Sequence, residues 1–482
     1  MRKSISIYLI LLITLLSLVG CSSNNTNTIT TETTSSVSPK YSYDSAKSIL
    51  LNDTSAEVAN GITYEDNNVI ISSNGAYSIS GISKNIGIII NCEGEVDLYL
   101  NGIDMYTDSK PCIYSKKSSK TFIIAMDNTT NTLKDSSNKY IEDEDSKLDA
   151  VIFSRSDLYF DGSGKLNITG NFKHSICGKD SIYLNNIIIN SSSVKKGICT
   201  NDEIIFYGGT YDITSYKGDC IQSNNVDSGD VIINGGNFNL TAANEAIHAE
   251  NALIINGGTI DIKKSKESLE GHTIDINGGD ISLISEDDGI NAKSGNNEEG
   301  FKLDKRDNDS FNPMNNNPPQ DDKELHKEDS NKQNPKDESC YIHINGGNLD
   351  INSNGDALDS KGELVINGGT IIGFSVNDCI DVDTNSILNG GNILLYSSKE
   401  INSFNKGDSN SIILNLSKSI NSGDNIEIYN SSNEKILNTT AKNSSNYIII
   451  GGDKFINGDY ILKINDIEYN FNINKGHNIN NI

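Results

Sequence analysis

Six short phrases in this chain set a carboxylate two residues before an apolar residue, with a polar side chain one residue after it. They are Asp219-Cys220-Ile221-Gln222, Glu245-Ala246-Ile247-His248, Glu267-Ser268-Leu269-Glu270, Asp288-Gly289-Ile290-Asn291, Asp356-Ala357-Leu358-Asp359 and Asp378-Cys379-Ile380-Asp381. Stacked in register, such carboxylates would lie about 5 Å apart and repel one another unless a cation neutralises them. Hard oxygen donors at that density suit calcium, which takes about six to eight of them in flexible geometry. The candidate metal ligands are Asp219, Glu267, Glu270, Asp287, Asp288, Asn291, Asp356, Asp359, Asp378, Asp381 and Asp383. The column is weakest where Gln222 and His248 take the second position. The competing reading is a solvated acidic edge, but the acids recur in register while the surface around them varies.

Catalysis is harder to place. The chain has three arginines, Arg2, Arg155 and Arg306. A calcium-assisted lyase needs a basic or cationic group beside the sugar carboxylate, and no residue in the repeats is marked for that role. Two-carboxylate hydrolysis needs one pair set apart from the rest, and rows of alike acids set none apart. His174 and His248 fall in or beside the columns, with Cys177 and Cys199 nearby. They lack zinc-ligand spacing and read as structural. There is no Trp among the residues and no repeating column among the 20 Tyr, so sugar stacking is weakly supported.

What positions the acids is a repeat. Gly-Gly pairs stand at Gly208-Gly209, Gly235-Gly236, Gly257-Gly258, Gly278-Gly279, Gly346-Gly347, Gly368-Gly369 and Gly390-Gly391, mostly 21 to 27 residues apart. Each pair supplies the positive φ that a sharp corner needs. Short runs of period two, such as Phe238, Leu240 and Ala242, follow the corners and read as strands. The apolar member of the phrase extends back through Ile198, Ile176, Ile152 and Ile113. A coil of about 22 residues made of short parallel strands is a β-solenoid rung, so the expected fold class is all-β. Propeller blades and leucine-rich repeats need other spacings. Cys112, Cys220 and Cys379 share the small-residue slot with Ala246, Gly289 and Ala357 and read as buried apolar residues. Cys177 and Cys199 fall on neighbouring turns, and no bond between them is assigned.

Residues 294–338 hold four of the six prolines and few aliphatics, and read as an insertion at one corner. After residue 400 the Gly-Gly rhythm stops. The runs Ile412-Ile413-Leu414 and Tyr447-Ile448-Ile449-Ile450 suggest a C-terminal antiparallel β cap, which would cover an exposed sheet edge.

The N-terminus carries Arg2-Lys3, an apolar run from Ile5 to Val19, then Gly20-Cys21. This is the pattern of a secretory signal peptide. Leu18-Val19-Gly20-Cys21 resembles the bacterial lipobox, which implies cleavage before Cys21 and a lipid on its sulfur. Residues 22–40 are rich in Ser, Thr and Asn and read as a tether. The expected layout is a signal peptide and lipobox (1–21), a tether (22–40), a parallel β-helix (41–400) and a cap (401–482). The location that follows is the extracellular face of the cytoplasmic membrane, as a lipid-anchored monomer. A net charge of −26 excludes a nucleic-acid partner, because phosphates are held by Lys/Arg surfaces.

With these features in view, the chain resembles the bacterial carbohydrate-binding β-helix lipoproteins. The likeness covers about residues 48–470. It is carried by Ile49-Leu50-Leu51-Asn52, Gly75-Ala76-Tyr77-Ser78-Ile79-Ser80-Gly81, Asp157-Leu158-Tyr159-Phe160, Lys217-Gly218-Asp219, Glu267-Ser268-Leu269-Glu270-Gly271, Asp287-Asp288-Gly289-Ile290-Asn291-Ala292 and Gly355-Asp356-Ala357-Leu358-Asp359-Ser360. The resemblance implies a right-handed parallel β-helix similar to pectate lyases. It also implies calcium along the helix and binding of plant-type polysaccharide, cellulose or acidic pectic chains, without demonstrated catalysis. The family's aspartates fall on Asp219, Asp288, Asp356, Asp359, Asp378 and Asp381. The chain departs at Glu245/His248, Ser175/Cys177 and Lys196/Cys199, and its insertion is rich in Asn, Lys and Asp rather than glycine. The expected function is a non-catalytic, calcium-dependent carbohydrate-binding surface lipoprotein. The alternatives are a calcium-dependent polysaccharide lyase and a structural or adhesive surface rod.

Overall fold

The computed structural model describes residues 36–141, 148–294 and 337–482. The signal peptide, Cys21, most of the tether and most of the corner insertion lie outside the described residues. The chain divides into Met1–Val37 and Ser38–Ile482, and the account below concerns the second unit. Among its described residues the regular structure is all strand apart from one short 3-10 turn at Tyr43–Ser45.

Each full coil visits three parallel ladders in turn. One ladder runs through Thr210–Ser215, Asn237–Ala242, Thr259–Ser265, Asp280–Ser285, Asn348–Ser353, Thr370–Ser375 and Asn392–Ser397; it is called the wide ladder here. The acid corner comes next, and then the acid-side ladder, whose later members are Ile221–Ser223, Ile290–Ala292, Leu358–Ser360 and Ile380–Val382. A further turn leads to the asparagine-side ladder, including Val231–Ile233, Tyr341–Ile344 and Glu363–Ile366. The Asn-Gly-Gly corner then returns the chain to the wide ladder.

The sequence's apolar column is one register column. Ile113, Ile152, Ile176, Ile198, Ile221, Ile247, Leu269, Ile290, Leu358 and Ile380 pair successively along the acid-side ladder. All are buried. Burying each such side chain stabilises the fold by about 1.5–3 kcal/mol relative to leaving it in water. Ile290 pairs directly with Leu358, so the stack continues across the insertion.

The corners follow from local chemistry. The second glycine of each pair adopts positive φ, as Gly258 does at 100°. A Cβ on Gly258 would stand 2.8 Å from the Gly236 carbonyl oxygen on the preceding coil, so both conformation and space require glycine there. The preceding asparagines hydrogen-bond through their side chains from Asn389 to Asn367, Asn345, Asn277, Asn256 and Asn234, at 2.8–3.0 Å. Stacked amides of this kind satisfy one another along a parallel ladder.

The C-terminal cap is antiparallel where it closes the wide ladder. Asn392–Ser397 pairs in parallel with Thr370–Ser375 and antiparallel with Ser445–Gly452. The change of direction ends the stack. Asn425–Asn430, Lys435–Thr440, Gly458–Ile464 and Ile467–Ile473 form a separate antiparallel sheet, whose apolar residues share one core cluster with Phe374, Leu394 and Tyr396 of the wide ladder. One pair departs from the antiparallel expectation: His477–Asn481 runs parallel to Ser411–Ile420.

Candidate functional site

At each acid corner the small residue turns inward, and Cys220, Ala246, Ser268, Ala357 and Cys379 are all fully buried. The inward small residue forces the acids beside it to the outer edge of the coil. The corners are locked together by their own side chains. Asp288 Oδ1 accepts the backbone N–H of Asp356 at 2.7 Å, and Asp356 Oδ1 accepts that of Asp378 at 2.7 Å. Asp219 Oδ1 does the same for Glu245 at 3.1 Å. At these three corners one carboxylate oxygen is spent on architecture.

The residue after the buried Ile or Leu forms a second outward column: Phe153, Cys177, Cys199, Gln222, His248, Glu270, Asn291, Asp359 and Asp381. Its chemistry changes along the stack. Cys177 and Cys199, left unassigned from sequence, are joined in a disulfide between adjacent coils. Cys92, Cys112, Cys220, Cys340 and Cys379 are free and buried.

Further along, His248 forms ion pairs with Glu250 at 3.2 Å and with Glu270. Burial alone would lower the His248 pKa, but the two carboxylates raise it to about 10, so the ring is cationic. Glu270 also pairs with Lys293 at 2.5 Å. Burial opposes its ionisation, and His248, Glu267 and Lys293 overcome that opposition and hold it ionised. Glu245 lies within reach of this group, its carboxyl pushed up by burial and by Asp219. The protein supplies its own cations here, and Glu270 is the candidate ligand most fully engaged by them.

The next corners lack that balance. Glu267, Asp287 and Asp288 bring carboxylate oxygens within 4.8 Å of one another. Asn291 Nδ2 donates to Glu267 Oε2 at 3.0 Å from the neighbouring coil. Asn291 Oδ1 is buried and accepts no hydrogen bond among the described residues. Glu267 is pushed upward by burial, then by Glu270. Lys266 approaches Glu267 at 3.3 Å and Asp287 at 3.9 Å, but is half exposed.

One coil on, Asp359 is buried, and its Oδ1 accepts no hydrogen bond among the described residues. Lys361 pairs with it at 3.6 Å. Burial pushes Asp359 up to about 7, with Lys361 opposing and Asp288, Asp381 and Asp356 adding to the rise. Asp356 is pushed up to about 6 by burial and by Asp288, Asp381 and Asp378. Asp378 is raised by burial and by Asp381. Asp383 sits past the column strand, its N–H bonded to the Ser360 carbonyl, and acts on Lys361 rather than on the acids.

The structure therefore gathers Glu267, Asp287, Asp288 and Asn291 into one group and Asp356, Asp359, Asp378 and Asp381 into another beside it. Asp219 lies apart, on the Glu245 corner. Donors in the first two groups are all hard oxygens. Crowded carboxylates beside the unpartnered Asn291 Oδ1 are an environment a divalent cation would relieve, so the donor set fits calcium.

Two surfaces were not legible in sequence. The outer side of the wide ladder forms an open trough of about 490 Å³. Ile260, Ile281, Leu349 and Ile372 contribute to its lining beside Asp261, Asp280, Ser282, Asn348 and Asp350, together with Thr439 of the cap sheet. Lys442 pairs with Asp350 across the end. The same wide-ladder strands run directly into the Glu267, Asp287/Asp288 and Asp356 corners. The second is a mixed Phe/Tyr column, where the sequence showed no repeating column among the Tyr. Phe122, Tyr159 and Tyr183 are in register and stack at 4.6 Å between ring centroids. The unequal chain intervals between them hid this from sequence. Phe122 and Tyr159 are buried, with Tyr41 and Ala46 packed against their cluster, so the column joins the N-terminal segment to the coils.

The described residues thus form a parallel β-solenoid with acidic corners and an open lateral trough. The chain belongs to the carbohydrate-binding domain-containing protein family, whose model matches residues 65–309 and 266–373. It is similar to a carbohydrate-binding domain-containing protein of Acetivibrio thermocellus, with 31% identity over 136 residues. That match takes in 27% of this chain and 48% of the relative, so the chain spans about half the length of the relative it matches. Among solved structures it is similar to a polysaccharide lyase-like protein from C. thermocellum, determined as a gadolinium derivative. The identity is 26% and the TM-score 0.44, over 45% of this chain and 91% of that one.

Proposed function

We propose that this protein is a non-catalytic, calcium-dependent polysaccharide-binding lipoprotein. The observation that carries the reading is the Glu267–Asp287–Asp288 cluster, whose ligand oxygens lie within 4.8 Å of one another, with the buried Asn291 Oδ1 beside it lacking a hydrogen-bond partner among the described residues. Bound calcium supplies the missing positive charge. Glu267, Asp287, Asp288 and Asn291 hold one such site, and Asp356, Asp359, Asp378 and Asp381 extend it. These corners close the wide-ladder strands, so ordering them fixes the trough in which a glycan chain lies. The trough exposes more apolar than polar surface, and its Asp280, Ser282 and Asn348 groups match sugar hydroxyls. Its three carboxylates favour a neutral plant-type glucan over an acidic pectic chain.

The non-catalytic reading rests on the acids recurring in register, with no carboxylate pair set apart from the rest. Asp219, Asp288 and Asp356 each carry a backbone N–H of the next corner, a structural duty shared along the repeat. A lipid on Cys21 holds the protein, as a monomer, on the extracellular face of the cytoplasmic membrane. Substitution of Cys21 by Ala should move the protein from the detergent phase to the aqueous phase.

A glycan array probed with calcium and with chelator tests the binding claim. Retention on neutral β-glucans in calcium, lost in chelator, supports it. Release of unsaturated uronides from pectic substrate would instead establish the lyase reading.

A further inference from the structure

A different cluster stands at the opposite end of the acid-side strands, where the chain turns toward the asparagine-side ladder. His272 follows Leu269-Glu270-Gly271 on one coil, and Asp337 and Cys340 lie where the described chain resumes before Tyr341–Ile344. Ligand atoms of His272, Asp337 and Cys340 all lie within 4.8 Å of one another. Cys340 Sγ is 3.5 Å from His272 Nδ1 although the residues are 68 apart in the chain. Ser339 Oγ sits 3.1 Å from His272 Nε2 and donates to Asp337 Oδ1 at 2.5 Å, which fixes the ring and the carboxylate toward each other.

We propose that His272, Asp337 and Cys340 bind a zinc-class transition-metal ion, a site separate from the calcium corners. A tetrahedral ion about 2.3 Å from a thiolate and about 2.0 Å from an imidazole nitrogen places those donors about 3.5 Å apart. The observed sulfur-to-nitrogen separation needs no rearrangement to meet that geometry. One nitrogen, one sulfur and one oxygen form a borderline-soft donor set, which selects zinc-class ions over calcium. Water completes the tetrahedron. The ligands come from both sides of residues 295–336, so the ion ties the start and return of that segment to one coil. Cross-links that close long chain segments constrain the unfolded state most strongly.

The test uses the full chain, stripped with chelator and titrated with cobalt in the presence of excess calcium. Thiolate-to-cobalt charge transfer in the near ultraviolet and intense tetrahedral visible bands at one equivalent are expected, displaced by zinc. His272→Ala and Cys340→Ser should each abolish the bands, and circular dichroism of the stripped proteins checks that both variants fold. His272 lies nearer the surface, so His272→Ala keeps the test open if Cys340→Ser does not fold. No charge-transfer band, or a band that survives His272→Ala in folded protein, overturns the proposal.

Discussion

Asn291 Nδ2 donates to Glu267 Oε2 across adjacent coils at 3.0 Å, and this bond fixes the direction of the rest of the amide. With the nitrogen engaged, Asn291 Oδ1 is held in a buried position with no hydrogen-bond partner among the described residues. A buried unpaired acceptor costs about 1–3 kcal/mol. A cation shared with Glu267, Asp287 and Asp288 removes that cost. Asn291→Ala is therefore expected to weaken calcium binding at least about tenfold, or about 1.4 kcal/mol. Calorimetric titration of chelator-stripped protein checks it. Unchanged affinity would remove Asn291 from the site.

The acid groups also fix the pH dependence. Asp356 and Asp359 hold protons up to about pH 6 and about pH 7, against an ordinary value of 3.8. Without metal, the folded state binds protons that the unfolded chain has released between about pH 4 and pH 7. Their contribution to stability is present at low pH and is lost as pH rises through that window. Calcium competes with those protons, so its affinity rises with pH. The calcium-induced rise in Tm should be small at pH 5 and large at pH 8. Equal shifts at both values would contradict this account.

The Cys177–Cys199 disulfide joins neighbouring coils across a sequence separation of 22. A loop of that length stabilises by about 3 kcal/mol when closed. Cys177→Ser and Cys199→Ser should each lower Tm by several degrees, and reductant should lower Tm only in the parent protein. Peptide mapping after alkylation should recover Cys177 and Cys199 linked and Cys220 free.

The stacked amides give an independent check on the fold. Asn277 donates to Asn256 and accepts from Asn345, each at 2.9 Å. Asn277→Ala breaks both bonds at an exposed corner. The expected loss is about 1 kcal/mol, read from chemical denaturation with calcium held constant.

How much of this was legible depended on whether a feature repeats. The buried column from Ile113 to Ile380 could be read residue by residue, because every coil must bury an apolar side chain at the same position. The acids beside it aligned for the same reason. What sequence could not supply was the partner of each acid. Glu270 looks like Asp359 in the alignment. Only the fold brings His248 and Lys293 to Glu270 and leaves Asp359 with Lys361 at 3.6 Å. Non-repeating features stayed hidden. The Phe122–Tyr159–Tyr183 stack has uneven chain spacing, and Cys340 meets His272 only because the solenoid resumes in register after a long excursion. The trough depends on Thr439, from a sheet outside the repeat.

The trough makes a separate prediction from the metal. Asp280 accepts a hydrogen bond from Asn348 at 2.7 Å, and both line the wall away from the acid corners. The double substitution Asp280→Ala and Asn348→Ala should reduce glycan retention while leaving the calcium-induced Tm shift intact. Loss of both properties together would place the glycan elsewhere or show that the trough is part of the metal site.

The most direct test of the central claim is retention of the protein on immobilised neutral β-glucan across a calcium titration. The account predicts that retention rises with calcium at the same midpoint as the calcium-induced Tm shift, and that Asp288→Asn with Asp359→Asn moves both midpoints together to higher calcium. Retention that is equal in calcium and in chelator, or absent on neutral and acidic polysaccharides alike, would contradict it.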